Sequence, residues 1–237
     1  MPFPDSFSTD RLRAERLTPG HFDELCGMDS DPQFMGLLGG PRDGPQTAAY
    51  LAKNLQHWAD YGFGLWILRD ARDNRVAGRG VLRHLLVEGT DEVELGYGFH
   101  PEYWGRGLAT EIATAFLHFG REALRLPSVV AITRPANVGS QRVLIKTGLV
   151  YERDVSHDGI SHLLFRAVFM VAALVFGACS PARDDAEFAA MQARGQHVMG
   201  VDQYASAHVF EDLPDGGGHS PVSRVPARCS SRGESRS

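Results

Sequence analysis

The stretch HPEYWGRGLATEIATAFLHF, residues 100–119, decides the fold, because it joins a strand to a helix through a glycine-rich turn. The preceding residues 91–99 alternate acidic with apolar side chains, as a strand with two unlike faces does. A helix is predicted over about 107–124, after Gly105 and Gly107. Backbone N–H groups at such a helix start favour a bound phosphate. The turn lacks the P-loop and GxGxxG motifs, so a tight structural turn remains the alternative.

Outward from this turn, apolar periodicity predicts a mixed α/β chain with one central crossover. On the N-terminal side we predict a strand at 9–17, helices at about 21–29 and 45–60, and a hairpin of strands at 63–69 and 76–86. On the C-terminal side we predict a strand at 128–134, a helix at 138–146 and strands at about 149–155 and 161–169.

Composition limits the class of protein. The chain has 237 residues, 43% hydrophobic and 22% charged, which is typical of a globular protein and excludes collagen and multi-span membrane proteins. Its net charge of −5 gives no overall attraction to nucleic acid or anionic lipid. We therefore expect no nucleic-acid partner and no stable membrane association. Charged residues near the N-terminus replace the apolar run of a signal peptide, so we expect a cytoplasmic protein.

Side chains that could bind metal do not cluster along the chain. The three cysteines are far apart and form no CxxC pair, so neither a disulfide framework nor a cysteine zinc site is expected. Three histidines lack ligand spacing: His84, His100 and His118. We therefore expect no metal.

The character of the chain changes after Phe169. We predict one domain at 1–168 and a C-terminal extension at 169–237, an apolar segment followed by mostly disordered chain. The segment MVAALVFGACSP, 170–181, resembles a bacterial lipoprotein signal with Cys179 at the lipidation position. We interpret it as the remnant of a fusion or frameshift. The alternative is that its apolar part extends the last strand or packs as a helix on the sheet.

Two motifs and the opening of the chain resemble a known family. They are ELGYGFHPEYWGRGLATE (94–111), ITRPANVGSQRVLIKTGLVYE (132–152) and TDRLRAERLTP (9–19), and they are similar to the GNAT N-acetyltransferases, most closely the RimJ/RimL-like branch. The resemblance covers roughly 7–168. It implies an α/β (α+β) fold with a mixed, mostly antiparallel seven-stranded sheet, splayed between its fourth and fifth strands, and helices on both faces.

The resemblance implies acetyl-CoA as co-substrate, entering between the strands at 91–99 and 128–134. Where the family's pyrophosphate loop has Gln or Arg this chain has Trp104, which is usual in the RimJ/RimL-like branch. Amides around the turn would cradle the pyrophosphate, and the start of the next helix would line the pantetheine arm and acetyl end. The expected cofactor-binding residues are Tyr97, Phe99, Gly105, Arg106, Gly107, Leu108, Ala109, Thr110, Asn137 and Ser140.

Acetyl transfer to an amine needs a base, a polarised thioester carbonyl and a proton for the thiolate. Glu94 is our candidate base and Glu92 the second choice, although both could be solvated strand carboxylates. Backbone N–H groups near Gly96 would polarise the carbonyl. Many family members place a tyrosine acid at the position of Leu144, so Ser140 is the candidate substitute. Ser140 could equally be only a helix cap.

We therefore expect an N-acetyltransferase that moves the acetyl group of acetyl-CoA to a primary amine, either a protein N-terminus or a small molecule. The alternative is a non-catalytic acyl-CoA-binding module or an inactive fusion product, since the tyrosine is missing. The acceptor pocket is expected from helices near 21–60 and the loop at 155–161. The sequence leaves open the identity of the acceptor and whether the chain forms a homodimer.

Overall fold

The computed structural model describes residues 5–169. Within this range the strands are β1 (Ser6–Ser8), β2 (Leu12–Arg16), β3 (Leu65–Asp70), β4 (Val76–Val87), β5 (Thr90–Phe99), β6 (Ser128–Thr133), β7 (Val150–His157) and β8 (Ile160–Val168). The α-helices are α1 (Phe22–Asp29), α2 (Pro32–Met35), α3 (Gly44–Tyr61), α4 (Leu108–Glu122) and α5 (Val138–Lys146). The lipoprotein-like segment and the rest of the predicted extension beyond Phe169 lie outside the described residues. The domain boundary at 168 stays a prediction.

All described strands form one sheet, in the order β1-β2-β3-β4-β5-β6-β8-β7. Neighbouring strands are antiparallel except for β5 and β6, which are parallel. The pairing of β5 with β4 extends over ten positions, whereas its pairing with β6 is a single position, Glu94 with Val130. The two parallel strands therefore diverge, which confirms the predicted splay.

The described sheet has eight strands where seven were predicted. The additional strand is β1, whose three residues pair with Arg13, Ala14 and Glu15 of β2. Three residues are too few to show an alternating pattern, so periodicity could not predict this strand. Because β1 is counted first, the splay lies between the fifth and sixth strands of the chain.

Helices cover both faces of the sheet, as predicted. On one face, Arg79 of β4 donates to Asp29 of α1 at 2.6 Å and lies over the ring of Tyr50 in α3 at 5.0 Å. The next residue, Gly80, faces the opposite side. There a Cβ at Gly80 would lie 2.8 Å from the ring of Phe116 in α4, so the helix packs closely on this face.

Helix α4 lies where the sequence predicted a helix, and its apolar face explains its position. Leu108, Ile112, Ala113 and Phe116 are buried, which is the three-to-four-residue spacing of an amphipathic helix on a sheet. The Phe116 ring lies 5.3 Å from the ring of Trp66 in β3. This packing fixes the helix N-terminus at the end of β5, beside the splay.

Candidate active site

The turn between β5 and α4 has the backbone shape that its glycines permit. Gly105 and Gly107 have φ angles of 68° and 75°, in the left-handed region that residues with a Cβ rarely adopt. Gly107 is the N-cap of α4, and no described side chain caps the helix there. The N–H groups of the first turn therefore remain available to a bound anion.

Trp104 ties this turn to the end of β5 through a hydrogen bond. Its indole Nε1 donates to the carbonyl of Phe99 at 2.8 Å, and its ring packs half-buried on the core. The side chain at the position where the family has Gln or Arg thus points back to the end of β5. It fixes the turn.

A cleft of about 200 Å³ lies between the turn and α5. Its lining includes five of the predicted cofactor-binding residues: Phe99, Gly105, Gly107, Leu108 and Ala109. It also includes Gly139, Arg142 and Val143 of α5, which we did not predict. The sequence did contain one signal for Arg142, a basic residue in the helix that begins after Asn137, and the structure shows that its side chain is exposed. The turn and α5 together form a groove with apolar walls and one cation.

Arg106 and Thr110 do not line the cleft. The Arg106 guanidinium lies 3.5 Å from a carboxylate oxygen of Asp70 and 5.1 Å from the ring centre of Tyr103. The predicted contact between Arg106 and a CoA phosphate therefore stays a prediction.

Tyr97, Ser140 and Asn137 connect β5 with α5 across the splay. The Tyr97 hydroxyl lies 3.4 Å from Ser140 Oγ, and both side chains are buried. The Asn137 side chain accepts from the Ser140 N–H at 3.0 Å and so caps α5. Burial raises the pKa of Tyr97, and the hydrogen bond to Ser140 only partly opposes this. None of the three lines the cleft, and their cofactor-binding and acid roles stay predictions.

Glu94 is a buried carboxylate, not a solvated one. Glu94 is 0% exposed, and its Oε2 accepts a hydrogen bond from Arg83 Nε at 2.8 Å. Its Oε1 has no hydrogen bond of normal geometry among the described residues. Burial raises the pKa of Glu94 to about 7, while Arg83 and the N–H of Ile132 oppose the shift. A carboxyl that titrates near neutral pH suits a general base.

Glu92, the second candidate, is occupied by another partner. Both of its oxygens accept from the Arg166 guanidinium, at 2.8 and 2.9 Å. A bidentate pair of this kind holds a carboxylate in its charged form and in one orientation. Glu92 is therefore held by Arg166, and the base role of either carboxylate stays a prediction. The position of the family's tyrosine, Leu144, is fully buried in the core.

A second cavity, of about 490 Å³, opens between α3, β4 and the turn joining β7 to β8. This is the location expected for the acceptor pocket. Arg83 and Asn54 line it, with Glu88 and Asp158 at the turn side. Arg83 also donates to Glu94, so this one side chain connects the cavity wall with the buried carboxylate.

His57 forms a neutral part of this cavity wall. Its Nε2 accepts from the His84 backbone N–H at 3.0 Å, so its other ring nitrogen carries the proton toward the Phe63 carbonyl, 2.8 Å away. Burial lowers the pKa of His57. Both ring nitrogens are thus engaged, so His57 is not a candidate base.

Residues 5–169 contain neither a metal-binding cluster nor a membrane-spanning helix. In the part of the chain that the structure describes, no group of three or more His, Cys, Asp or Glu could hold a metal ion. Among the helices within residues 5–169, none is long and apolar enough to cross a membrane.

The splayed sheet, the uncapped helix and the cleft together are features of an acyltransferase fold. The family model for the acetyltransferase (GNAT) domain matches residues 11–150. The chain belongs to the GNAT acetyltransferase family.

Individual relatives and solved structures are similar to this chain. The uncharacterized protein YkkB of Bacillus subtilis (strain 168) is 30% identical over 148 residues, which cover 62% of this chain and 86% of the relative. The FsC-acetyl coenzyme A-N(2)-transacetylase of Aspergillus fumigatus is 27% identical over 152 residues, covering 60% of this chain and 64% of the relative. An acetyltransferase structure from Agrobacterium tumefaciens str. C58 is 26% identical, with a TM-score of 0.62, covering 70% of this chain and 95% of that one.

Proposed function

We propose that the chain is an N-acetyltransferase of the RimJ/RimL-like branch that transfers the acetyl group of acetyl-CoA to a primary amine. The acceptor is a protein N-terminus or a small-molecule amine. The observation that carries the proposal is the uncapped N-terminus of α4 beside the divergence of β5 and β6. An anion-binding helix end next to a gap between strands suits a long ligand with a diphosphate in its middle.

Acetyl-CoA would lie with its pyrophosphate on the N–H groups of Gly105 to Thr110 and with Arg142 of the cleft beside it. Its pantetheine arm would then enter the splay toward Asn137 and Ser140. The β5 amides near Gly96, beyond the single pairing of β5 with β6 at Glu94, would donate to the thioester carbonyl, which stabilises the oxyanion formed when the amine attacks. Holding the two reactants together in this geometry supplies much of the rate.

The proton of the attacking amine would pass to Glu94, directly or through water. A bond then forms between the amine nitrogen and the acetyl carbon, and the bond between carbon and sulfur breaks. The leaving thiolate takes a proton from Ser140, the candidate donor, which takes one from water in the same step. The proton held by Glu94 then passes to solvent and restores the base. The acceptor enters through the cavity lined by Arg83, whose contact with Glu94 links the amine side to the base.

The choice of an amine acceptor has one supporting comparison. The Aspergillus relative is named as an N(2)-transacetylase, so its acceptor atom is a nitrogen. We carry over to this chain the reaction class alone.

Calorimetric titration of acetyl-CoA into the full chain tests the cofactor site. The Gly107→Trp variant places a large side chain at a left-handed residue of the turn, and we expect it to abolish binding. Gly148→Trp is the matched control, because Gly148 is also left-handed, with φ of 93°, and has open space around its Cβ position. Binding that Gly107→Trp abolishes and Gly148→Trp retains supports the site. Absence of binding to the unaltered chain refutes it.

A further inference from the structure

We propose that Arg11 is a positioning residue for the acetyl-CoA pyrophosphate, acting through Glu111 and the carbonyl of Arg106. This inference rests on the proposed function. It assigns a role to residues 9–11, which precede β2 and lie far in sequence from the turn that Arg11 contacts.

Arg11 bridges two parts of the proposed pyrophosphate site. Its Nε donates to Glu111 Oε2 at 2.7 Å, and its backbone N–H donates to Glu111 Oε1 at 2.8 Å. Its Nη1 donates to the Arg106 carbonyl at 2.6 Å. Thr9 adds a hydroxyl that donates to the same Glu111 Oε1. One guanidinium thus joins the first turn of α4 to the peptide between the two glycines.

The hydrogen bond from Arg11 to the Arg106 carbonyl restrains a segment whose two glycines would otherwise make it flexible. The Arg106 carbonyl lies between Gly105 and Gly107, and glycine gives the backbone the widest freedom of any residue. A Cβ at Gly107 would lie 3.6 Å from Arg11 Nη2, so the guanidinium is directly against the turn. Amides that are already held in the binding geometry lose less entropy when the ligand binds.

The ion pair between Arg11 and Glu111 neutralises the negative charge of Glu111, which would repel the pyrophosphate. Glu111 lies in the first turn of α4, where the helix dipole favours a carboxylate but where the pyrophosphate would also bind. Its side chain is 12% exposed, so water screens it little. Burial tends to raise the pKa of Glu111, but hydrogen bonds from Thr9 and Arg11 outweigh burial and lower it. The carboxylate is therefore charged, and Arg11 supplies the opposite charge.

The Arg11→Met variant, titrated with acetyl-CoA, tests the proposal against a matched control. Arg13→Met removes an arginine of similar exposure, 45% against 51%, which donates to Glu15 and Asn74 and does not contact the turn. We expect Arg11→Met to weaken acetyl-CoA binding about tenfold. We expect Arg13→Met to leave binding unchanged. The melting temperatures of the two variants without ligand should agree within about 3 °C.

A double-mutant cycle with Glu111→Gln identifies the route of the effect. If Arg11 acts through Glu111, adding Arg11→Met to Glu111→Gln should weaken acetyl-CoA binding less than about threefold further. A full tenfold loss in both backgrounds would mean that Glu111 takes no part in the effect, and would overturn the proposal that Arg11 acts through it. Arg11→Lys, with a single ammonium that cannot bridge both acceptors, should also weaken binding and provides a second variant if Arg11→Met does not fold.

The outcomes separate this inference from the proposed function. If the unaltered chain binds acetyl-CoA and Arg11→Met binds it equally well, the positioning role is wrong and the proposed function stands. If the unaltered chain does not bind acetyl-CoA, both are overturned.

Discussion

Arg83 and Glu94 are direct neighbours across β4 and β5, and they form a buried ion pair of 2.8 Å beside the cavity that we propose for the acceptor. Because the two residues are paired across neighbouring strands, their side chains project from the same face of the sheet, and Arg83 lines the cavity. One oxygen of the carboxylate has no normal hydrogen bond among the described residues. Protonation of that oxygen neutralises the carboxylate while the hydrogen bond from Arg83 to the other oxygen stays in place.

The Glu94→Gln variant tests the base. Glutamine keeps the shape of the side chain but cannot accept a proton, so we expect the acetyl-transfer rate to fall about 100-fold or more. The affinity for acetyl-CoA, measured by calorimetry, should not change. Glu92→Gln is the control, since it alters the next carboxylate on the same face of the strand. It should lower stability through its lost pairing with Arg166 while leaving most of the rate intact. Equal losses of rate in both variants would exclude Glu94 as the base.

The pKa of Glu94, raised to about 7, predicts two opposite pH effects. The rate should increase as pH rises through about 7, because the base must be ionised, and a pH-rate profile of Glu94→Gln should lack this step. The contribution of Glu94 to the free energy of unfolding should fall between about pH 4.5 and 7, since the folded state binds the extra proton there. Denaturant titrations of the unaltered chain and of Glu94→Gln, at about pH 4.5 and about pH 7, measure whether this contribution falls. A contribution that grows over this range would contradict a raised pKa.

The Trp104→Phe variant tests the closure of the turn. Phenylalanine keeps an aromatic ring but removes the hydrogen bond to the Phe99 carbonyl, so stability should fall by about 0.5–1.5 kcal/mol. Because the turn loosens, acetyl-CoA binding should weaken about threefold or more. Trp58→Phe is the matched control, since Trp58 donates to the Leu65 carbonyl at 2.9 Å, in a region that does not line the cleft. It should cost similar stability without changing the affinity. An unchanged affinity in Trp104→Phe would show that the indole does not shape the cofactor site.

The Gly78→Ala variant tests the packing of β4 against β5. A Cβ at Gly78 would lie 2.0 Å from the Gly98 carbonyl oxygen, which is backbone and cannot rotate away. We expect a loss of about 3 kcal/mol or more in the free energy of unfolding, measured in urea. Gly27→Ala is the control, because Gly27 is in α1 with nothing within 4 Å of its Cβ position. It should raise stability by about 0.5–1 kcal/mol. Similar effects of the two variants would contradict this strand geometry.

Local chemistry explains why the turn and α4 could be predicted from sequence. Gly105 and Gly107 mark the left-handed turn, and the apolar period of α4 marks its buried face. The alternation in β5 also predicted a strand correctly, but it left open whether its carboxylates were solvated. The structure buries Glu94, because α1 to α3 cover that side of the sheet. Burial by elements distant in sequence leaves no local pattern.

Contacts between distant residues set the rest of the site. The pairing of Arg83 with Glu94 follows from the register of two long strands, and that of Arg11 with Glu111 joins residues 100 positions apart. Arg142 reaches the cleft only because α5 packs beside α4. A single sequence shows the residue types but not these neighbours.

The most direct test of the account is release of free CoA thiol from acetyl-CoA by the full chain, with and without a panel of primary amines and N-terminal peptides. An N-acetyltransferase with Glu94 as its base should show release that depends on the amine, an acetylated amine as product, and loss of both in Glu94→Gln. Tight binding of acetyl-CoA with no amine-dependent release for any member of the panel would contradict it, and would favour an acyl-CoA-binding module.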